Sequence, residues 1–139
     1  MLNDISVLVA EDQPYIALDL ALAVRDAGGK VVGPAASCEQ ALTLLATETV
    51  VAAILDVNLV DGDSSSLVEA LVGLDVPFIV HTAVDIPPAL ATRFSDLVVQ
   101  IKPCPAASLI AQLESLLAEH ERSATAAAPA LRDRGQAIG

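Results

Sequence analysis

A chain of 139 residues with 54% hydrophobic but only 2% aromatic content suffices for one domain, with a core built from Ala, Val, Leu and Ile. Its net charge of -11 argues against direct nucleic-acid binding, which needs clustered Lys and Arg. No apolar run approaches the roughly 20 residues of a membrane span and no secretory leader is evident, while Cys38 and Cys104 lack metal-ligand spacing, so a cytoplasmic protein with reduced thiols is expected.

Residues 5–10 (ISVLVA) form a continuous apolar run, the pattern of a strand buried on both faces, and lead into Glu11 and Asp12. Pro14 suits the first turn of a helix, where its missing N–H costs nothing. Ile16, Leu20, Val24 and Ala27, with Ala23 between, share one face at helical spacing, and Gly28-Gly29 ends the helix. Leu18 and Leu22 fall on the other side with Arg25 and Asp26, either as ordinary exposed leucines or as part of a docking surface. Residues 30–33 read as a short strand closed by Pro34. Ser37 or Cys38 begins a second helix with Ala41, Leu42, Leu45 and Ala46 inward.

A second apolar run, residues 50–55 (VVAAIL), ends in Asp56, and Asp61-Gly62 marks a turn before a helix over about 64–72. Residues 76–82 (VPFIVHT) give a fourth strand with its Pro near the start, where strands tolerate one. Pro87-Pro88 opens a short helix, about 88–94. Residues 97–101 make the fifth strand, ending at Lys102-Pro103. The last helix, about 106–121, is expected to bury Leu109, Ile110, Leu113, Leu116 and Leu117. From Ser123 the chain is Ala-rich, with Pro129 and Gly135, and reads as a flexible tail or a fraying extension of that helix. The division is therefore 1–122 for the folded domain and 123–139 for the tail. Charge divides there too: 1–122 holds 17 acidic and 5 basic residues, whereas the tail has Arg132, Arg134 and Asp133.

Five strands alternating with five helices predict an α/β fold, a doubly wound five-stranded parallel sheet with right-handed crossovers. Parallel strands bring their C-terminal ends to one edge, where such sheets place their ligand sites. That edge would gather Glu11, Asp12, Asp56, Thr82 and Lys102. Each has a plain alternative: Glu11 and Asp12 favouring a helix dipole, Asp56 capping the next element, Thr82 a strand residue, Lys102 a solvated cation. Their joint placement favours a site. Carboxylates this close repel by roughly 4 kcal/mol per pair at an effective dielectric near 20. Such a cluster wants a hard cation, and Mg2+ fits few carboxylates with several waters retained. A carboxylate nucleophile beside a divalent metal, an ammonium and a hydroxyl is suited to accepting a phosphoryl group.

These residues resemble the receiver domains of two-component response regulators, the chemotaxis regulator among them, over about residues 4–121. The resemblance implies the flavodoxin-like receiver fold, with Asp56 as phosphoacceptor. It also implies Glu11 and Asp12 as the acidic pair, Asp12 and Asp56 on Mg2+, and the backbone carbonyl of Asn58 as a further ligand. Thr82 becomes the switch hydroxyl, Lys102 the phosphate-pairing lysine, and Lys102-Pro103 a cis peptide. Departures are Val99 where the family usually carries Tyr or Phe, Val60 where a Pro is common, and Ser64 in place of a Gly.

A stand-alone receiver is the expectation, since the length leaves no room for a fused output domain. It would be a phosphoacceptor rather than a turnover enzyme. Phosphate would come from a sensor histidine kinase or phosphotransfer protein, docking at Leu18 and Leu22, and the signal would pass by contact to a downstream protein. Neither direct nucleic-acid contact nor membrane insertion is expected, and a homodimer stays open. The alternative is a phosphorylation-independent interaction module, which Val99 keeps alive. A flavin-binding domain would need a phosphate loop where Glu11-Asp12 stands, and a haloacid-dehalogenase-type phosphatase would need an Asp-x-Asp after the first strand. His81 and His120 read as structural or surface residues.

Overall fold

The computed structural model describes residues 2–83, 86, 88–94 and 97–138, without the side chains of residues 89 and 124–138. Its elements are β1 (Ser6–Ala10), α1 (Pro14–Asp26), β2 (Lys30–Ala35), α2 (Cys38–Thr47), β3 (Ala52–Leu55), β4 (Asn58–Leu59), β5 (Gly62–Asp63), α3 (Ser65–Gly73), β6 (Phe78–Thr82), α4 (Pro88–Arg93), β7 (Val99–Ile101) and α5 (Ala106–Ile138). Five strands form one parallel sheet in the order β2-β1-β3-β6-β7, and β4 and β5 make a separate antiparallel hairpin. This is the doubly wound parallel order expected of a flavodoxin-like fold.

The continuous apolar runs are explained by burial on both sides, because successive residues of a strand face opposite layers. Leu8, Ala10, Ala53 and Leu55 pack with Ala41, Leu45, Leu67, Val68, Leu71 and Leu90 of α2, α3 and α4. Val7, Val9, Ala52, Ile54 and Ile79 pack on the other side with Leu20, Val24, Leu109, Ile110 and Leu113 of α1 and α5. Every buried member of both layers is aliphatic or Cys, as the scarcity of aromatics requires. Burial of each large aliphatic side chain contributes about 1.5–3 kcal/mol relative to exposure.

Several boundaries differ from the sequence expectation. The strands expected to begin at residues 5, 50, 76 and 97 start at Ser6, Ala52, Phe78 and Val99. Hydropathy continues into approach loops that hydrogen-bond outside the ladder. β2 runs past Gly33 and Pro34 to Ala35; as an edge strand it tolerates a proline that cannot donate. The peptides before Pro34 and Pro103 are cis, the second as the resemblance implies. Ala46 is exposed rather than inward, because α2 buries only the narrow stripe of Cys38, Ala41 and Leu45.

Ser37 caps α2 by accepting the Gln40 N–H at 3.0 Å. α3 starts at Ser65, one residue later than expected. Its first amide is held by the Asp63 carboxylate at 3.0 Å, while the Ser64 hydroxyl makes no capping bond. The last helix does not stop near 121: the Ala-rich stretch, strong in helix propensity, carries α5 to Ile138. Leu116 and Leu117, expected to be buried there, are half-buried. Pro87, expected as a helix opener, and the tail charges at Arg132, Asp133 and Arg134 lie outside the described residues or side chains. Among the described residues, no helix is long and apolar enough to cross a membrane.

Candidate functional site

β1, β3, β6 and β7 are all parallel, so their C-terminal ends share one sheet edge. Glu11 and Asp12 directly follow β1, Asp56 directly follows β3, Thr82 closes β6, and Lys102 directly follows β7. The backbone locks these ends together. The Asp56 N–H donates to Ala10 O at 2.9 Å, the Lys102 N–H to Thr82 O at 2.8 Å, and the Glu11 N–H to Ala35 O at 2.8 Å.

The centre of the arrangement is the Lys102 ammonium. Its Nζ donates to Asp56 Oδ2 at 2.8 Å and lies 2.9 Å from Glu11 Oε1. Glu11, Asp56 and Thr82 are buried, at 2%, 7% and 0% exposure. Asp56 Oδ1 accepts the Asn58 N–H at 3.2 Å, so Asn58 reaches the site through its backbone while its side chain is exposed. Glu11 Oε2 accepts the Gln13 N–H at 3.2 Å. Burial pushes the Glu11 carboxyl above its ordinary value, and Lys102 offsets only part of that rise. Burial alone would pull Lys102 down, but its hydrogen bond to Asp56 and its ion pair with Glu11 carry it up, so it stays protonated.

Glu11, Asp12 and Asp56 each present a carboxylate oxygen, all within 4.8 Å of one another. Glu11 Oε1 is buried without a hydrogen-bond partner, its contact with Lys102 being an ion pair. Three hard oxygens, one with unfilled lone-pair capacity, and a single ammonium between them leave excess negative charge. That donor set fits a small divalent cation such as Mg2+.

Glu11, Asp12, Asp56 and Lys102 come together at this edge, and Thr82 closes the strand β6 there. Two features go beyond the sequence expectation: for His81 the structural alternative holds, and for Asp61 a further role appears. His81, left as structural or surface, is buried at 4% exposure one residue before Thr82, with neither ring nitrogen bonded. Burial, and secondly the Lys102 charge, hold it below the ordinary His range. Strand alternation, which sets it on the opposite face from Val80 and Thr82, was the available signal. Asp61, read only as a turn residue, accepts the Cys38 and Glu39 N–H groups at 2.7 and 3.1 Å. It thereby ties the hairpin to the start of α2. Those amide bonds hold its carboxyl below the usual range.

No family model matches the chain, and no curated protein matches it. Solved structures do. The receiver domain of the response regulator PhyR from Erythrobacter litoralis is 30% identical, over 80% of this chain and 90% of that one, with a TM-score of 0.70. A CheY-like receiver domain protein from Methanospirillum hungatei is 19% identical, covering 86% and 98%, with a TM-score of 0.77. The response regulator PhyR from Brucella abortus is 27% identical with a TM-score of 0.68, and this chain spans only 52% of its length. Shared fold and 30% identity across nearly all of the Erythrobacter domain establish that this chain belongs to the response regulator receiver domains.

Proposed function

We propose that this receiver acts in the cytoplasm, accepts a phosphoryl group on Asp56 from a sensor histidine kinase or phosphotransfer protein, and passes the signal on by protein contact. The observation that carries the reading is the largely buried Lys102 ammonium bridging Asp56 and Glu11, at the sheet edge where Thr82 closes β6. An Asp56 carboxylate oxygen attacks phosphorus, and the bond from phosphorus to the donor's imidazole nitrogen breaks with its electron pair leaving on that nitrogen. Lys102 pairs with the phosphoryl oxygens, and the Thr82 hydroxyl and nearby amides donate to them. Glu11, Asp12, Asp56 and the Asn58 carbonyl would hold Mg2+, which when bound neutralises charge on the transferring oxygens. The product carries about -1.5 to -2 additional charge, by analogy with other phosphorylated side chains, and this biases Thr82 and the segment after it. The chain is a phosphoacceptor, not a turnover enzyme.

Intact mass after incubation with acetyl phosphate tests this. A phosphoryl adduct is expected with Mg2+, absent with a chelator and absent from Asp56→Asn. A folded protein that stays unmodified by acetyl phosphate and by phosphorylated kinases would favour the phosphorylation-independent module instead. The observation behind that second reading is Val99, half-buried beside Val80, where an aromatic partner for the threonine is usual in similar domains.

The kinase-facing surface is read from α1. Leu18 and Leu22 are 55% and 47% exposed, and Tyr15 beside them is 89% exposed. Three large side chains on one exposed face, next to the acidic site, suit a helical partner. Leu18→Asp with Leu22→Asp is expected to slow transfer from a phosphorylated kinase about tenfold or more. Labelling by acetyl phosphate should stay unchanged. Equal loss of both activities would mean that the substitutions damage the site itself.

A further inference from the structure

The flank formed by α2, the β4–β5 hairpin and α3 has a charge pattern that the phosphoacceptor chemistry does not use. Residues 31–92 contain no Lys or Arg, although the chain has 7. On this flank lies a shallow groove of about 560 Å3, floored by Cys38, Leu42 and Ala46 and rimmed by Glu39, Asp61 and Asp63. Glu39 belongs to α2 and the two aspartates to the hairpin, with the Asp61 carboxylate seated on the Cys38 and Glu39 amides at the α2 end of the groove. Amide hydrogen bonds hold both aspartates below the usual carboxylate range, so these two stay charged. The walls are fixed relative to one another, because Asp61 accepts two α2 amides and the Val60 N–H donates to Ala36 O at 3.1 Å.

An apolar floor with a fixed acidic rim, its described lining containing neither Lys nor Arg, selects its occupant by charge. A segment that lays apolar side chains on this floor is favoured when it also carries positive charge toward the rim. We propose that this groove docks an amphipathic helix of a partner protein, with one apolar stripe flanked by Lys or Arg. The surface lies apart from the exposed α1 stripe, and binding here does not depend on phosphorylation of Asp56.

The test uses the full chain, isotope-labelled for NMR, and a synthetic ~18-residue helical peptide with a Leu stripe flanked by Lys. Amide shifts should concentrate at residues 38–46 and 61–66. Glu39→Lys should weaken binding about tenfold. Thr43→Lys, on the same exposed α2 surface, should weaken it in the same direction through a different side chain. Asp26→Lys, on α1, makes the same change in net charge as Glu39→Lys and should leave affinity within about twofold. The proposal fails if the peptide does not bind, or if Asp26→Lys weakens binding as much as Glu39→Lys. Shifts spread over α1 and α5 also overturn it, as does self-association of the chain through these same residues without peptide.

Discussion

Lys102→Met is expected to destabilise the metal-free protein by about 3–5 kcal/mol, the cost of removing one partner from a buried ion cluster. The side chain keeps its length and apolar stem, so packing around it survives. What disappears is the ammonium 2.8 Å from Asp56 and 2.9 Å from Glu11, whose side chains are 9% and 1% exposed. The two carboxylates then repel in a poorly solvated place. Glu11, already raised by burial, responds by holding its proton to still higher pH.

The sign of the pH dependence follows. A carboxyl whose folded pKa is raised stabilises the fold below its unfolded value, and that contribution is lost as pH rises through the folded value. The deficit of Lys102→Met should therefore be small near about pH 4.5 and grow toward neutrality. Mg2+ should recover part of it by binding the folded state alone. Urea unfolding of both proteins across pH, with a chelator or with Mg2+, measures all three effects. A variant with an unchanged midpoint at neutral pH in chelator would show that Lys102 is not the charge that permits this cluster to be buried.

The layered fold was legible because a sheet covered on both faces writes its strands as unbroken aliphatic runs. Two such runs, 5–10 and 50–55, and the more mixed strands at 76–82 and 97–101 each end close to a polar residue that arrives at the same edge. Topology alone converts those sequence positions into neighbours. The misses have local physical causes. Residues 50 and 51 are apolar yet precede the ladder, since hydropathy reports burial tendency and not pairing. α3 began one residue late because Asp63, not Ser64, supplies the first cap. Asp61 looked like a turn residue because its partners, the α2 amides, are more than twenty positions away. The ion pairing of Lys102 with Glu11 as well as Asp56 likewise depends on side-chain reach across three strands, which periodicity cannot report.

His81→Leu is expected to stabilise the protein, by about 1–3 kcal/mol where the imidazole is neutral in both states. Two buried ring nitrogens without partners lost their water on folding and regained no hydrogen bond. An apolar replacement on a face otherwise lined by Ile79, Leu109 and Ile110 removes that penalty. Acidification should enlarge the gain. Burial and the Lys102 ammonium keep His81 neutral in the fold, while Asp56 only partly opposes them. The unfolded chain takes up a proton below about pH 6.5, so the wild type loses stability there by up to about 1.4 kcal/mol per pH unit. The variant has no such group. Its advantage should widen as pH falls through that value, whereas Glu11 shifts both proteins alike and cancels in the comparison. Paired urea titrations at several pH values provide the measurement. A variant less stable than wild type, or an advantage that does not change with pH, would mean that His81 is satisfied by a hydrogen bond in solution and is a structural partner of this edge.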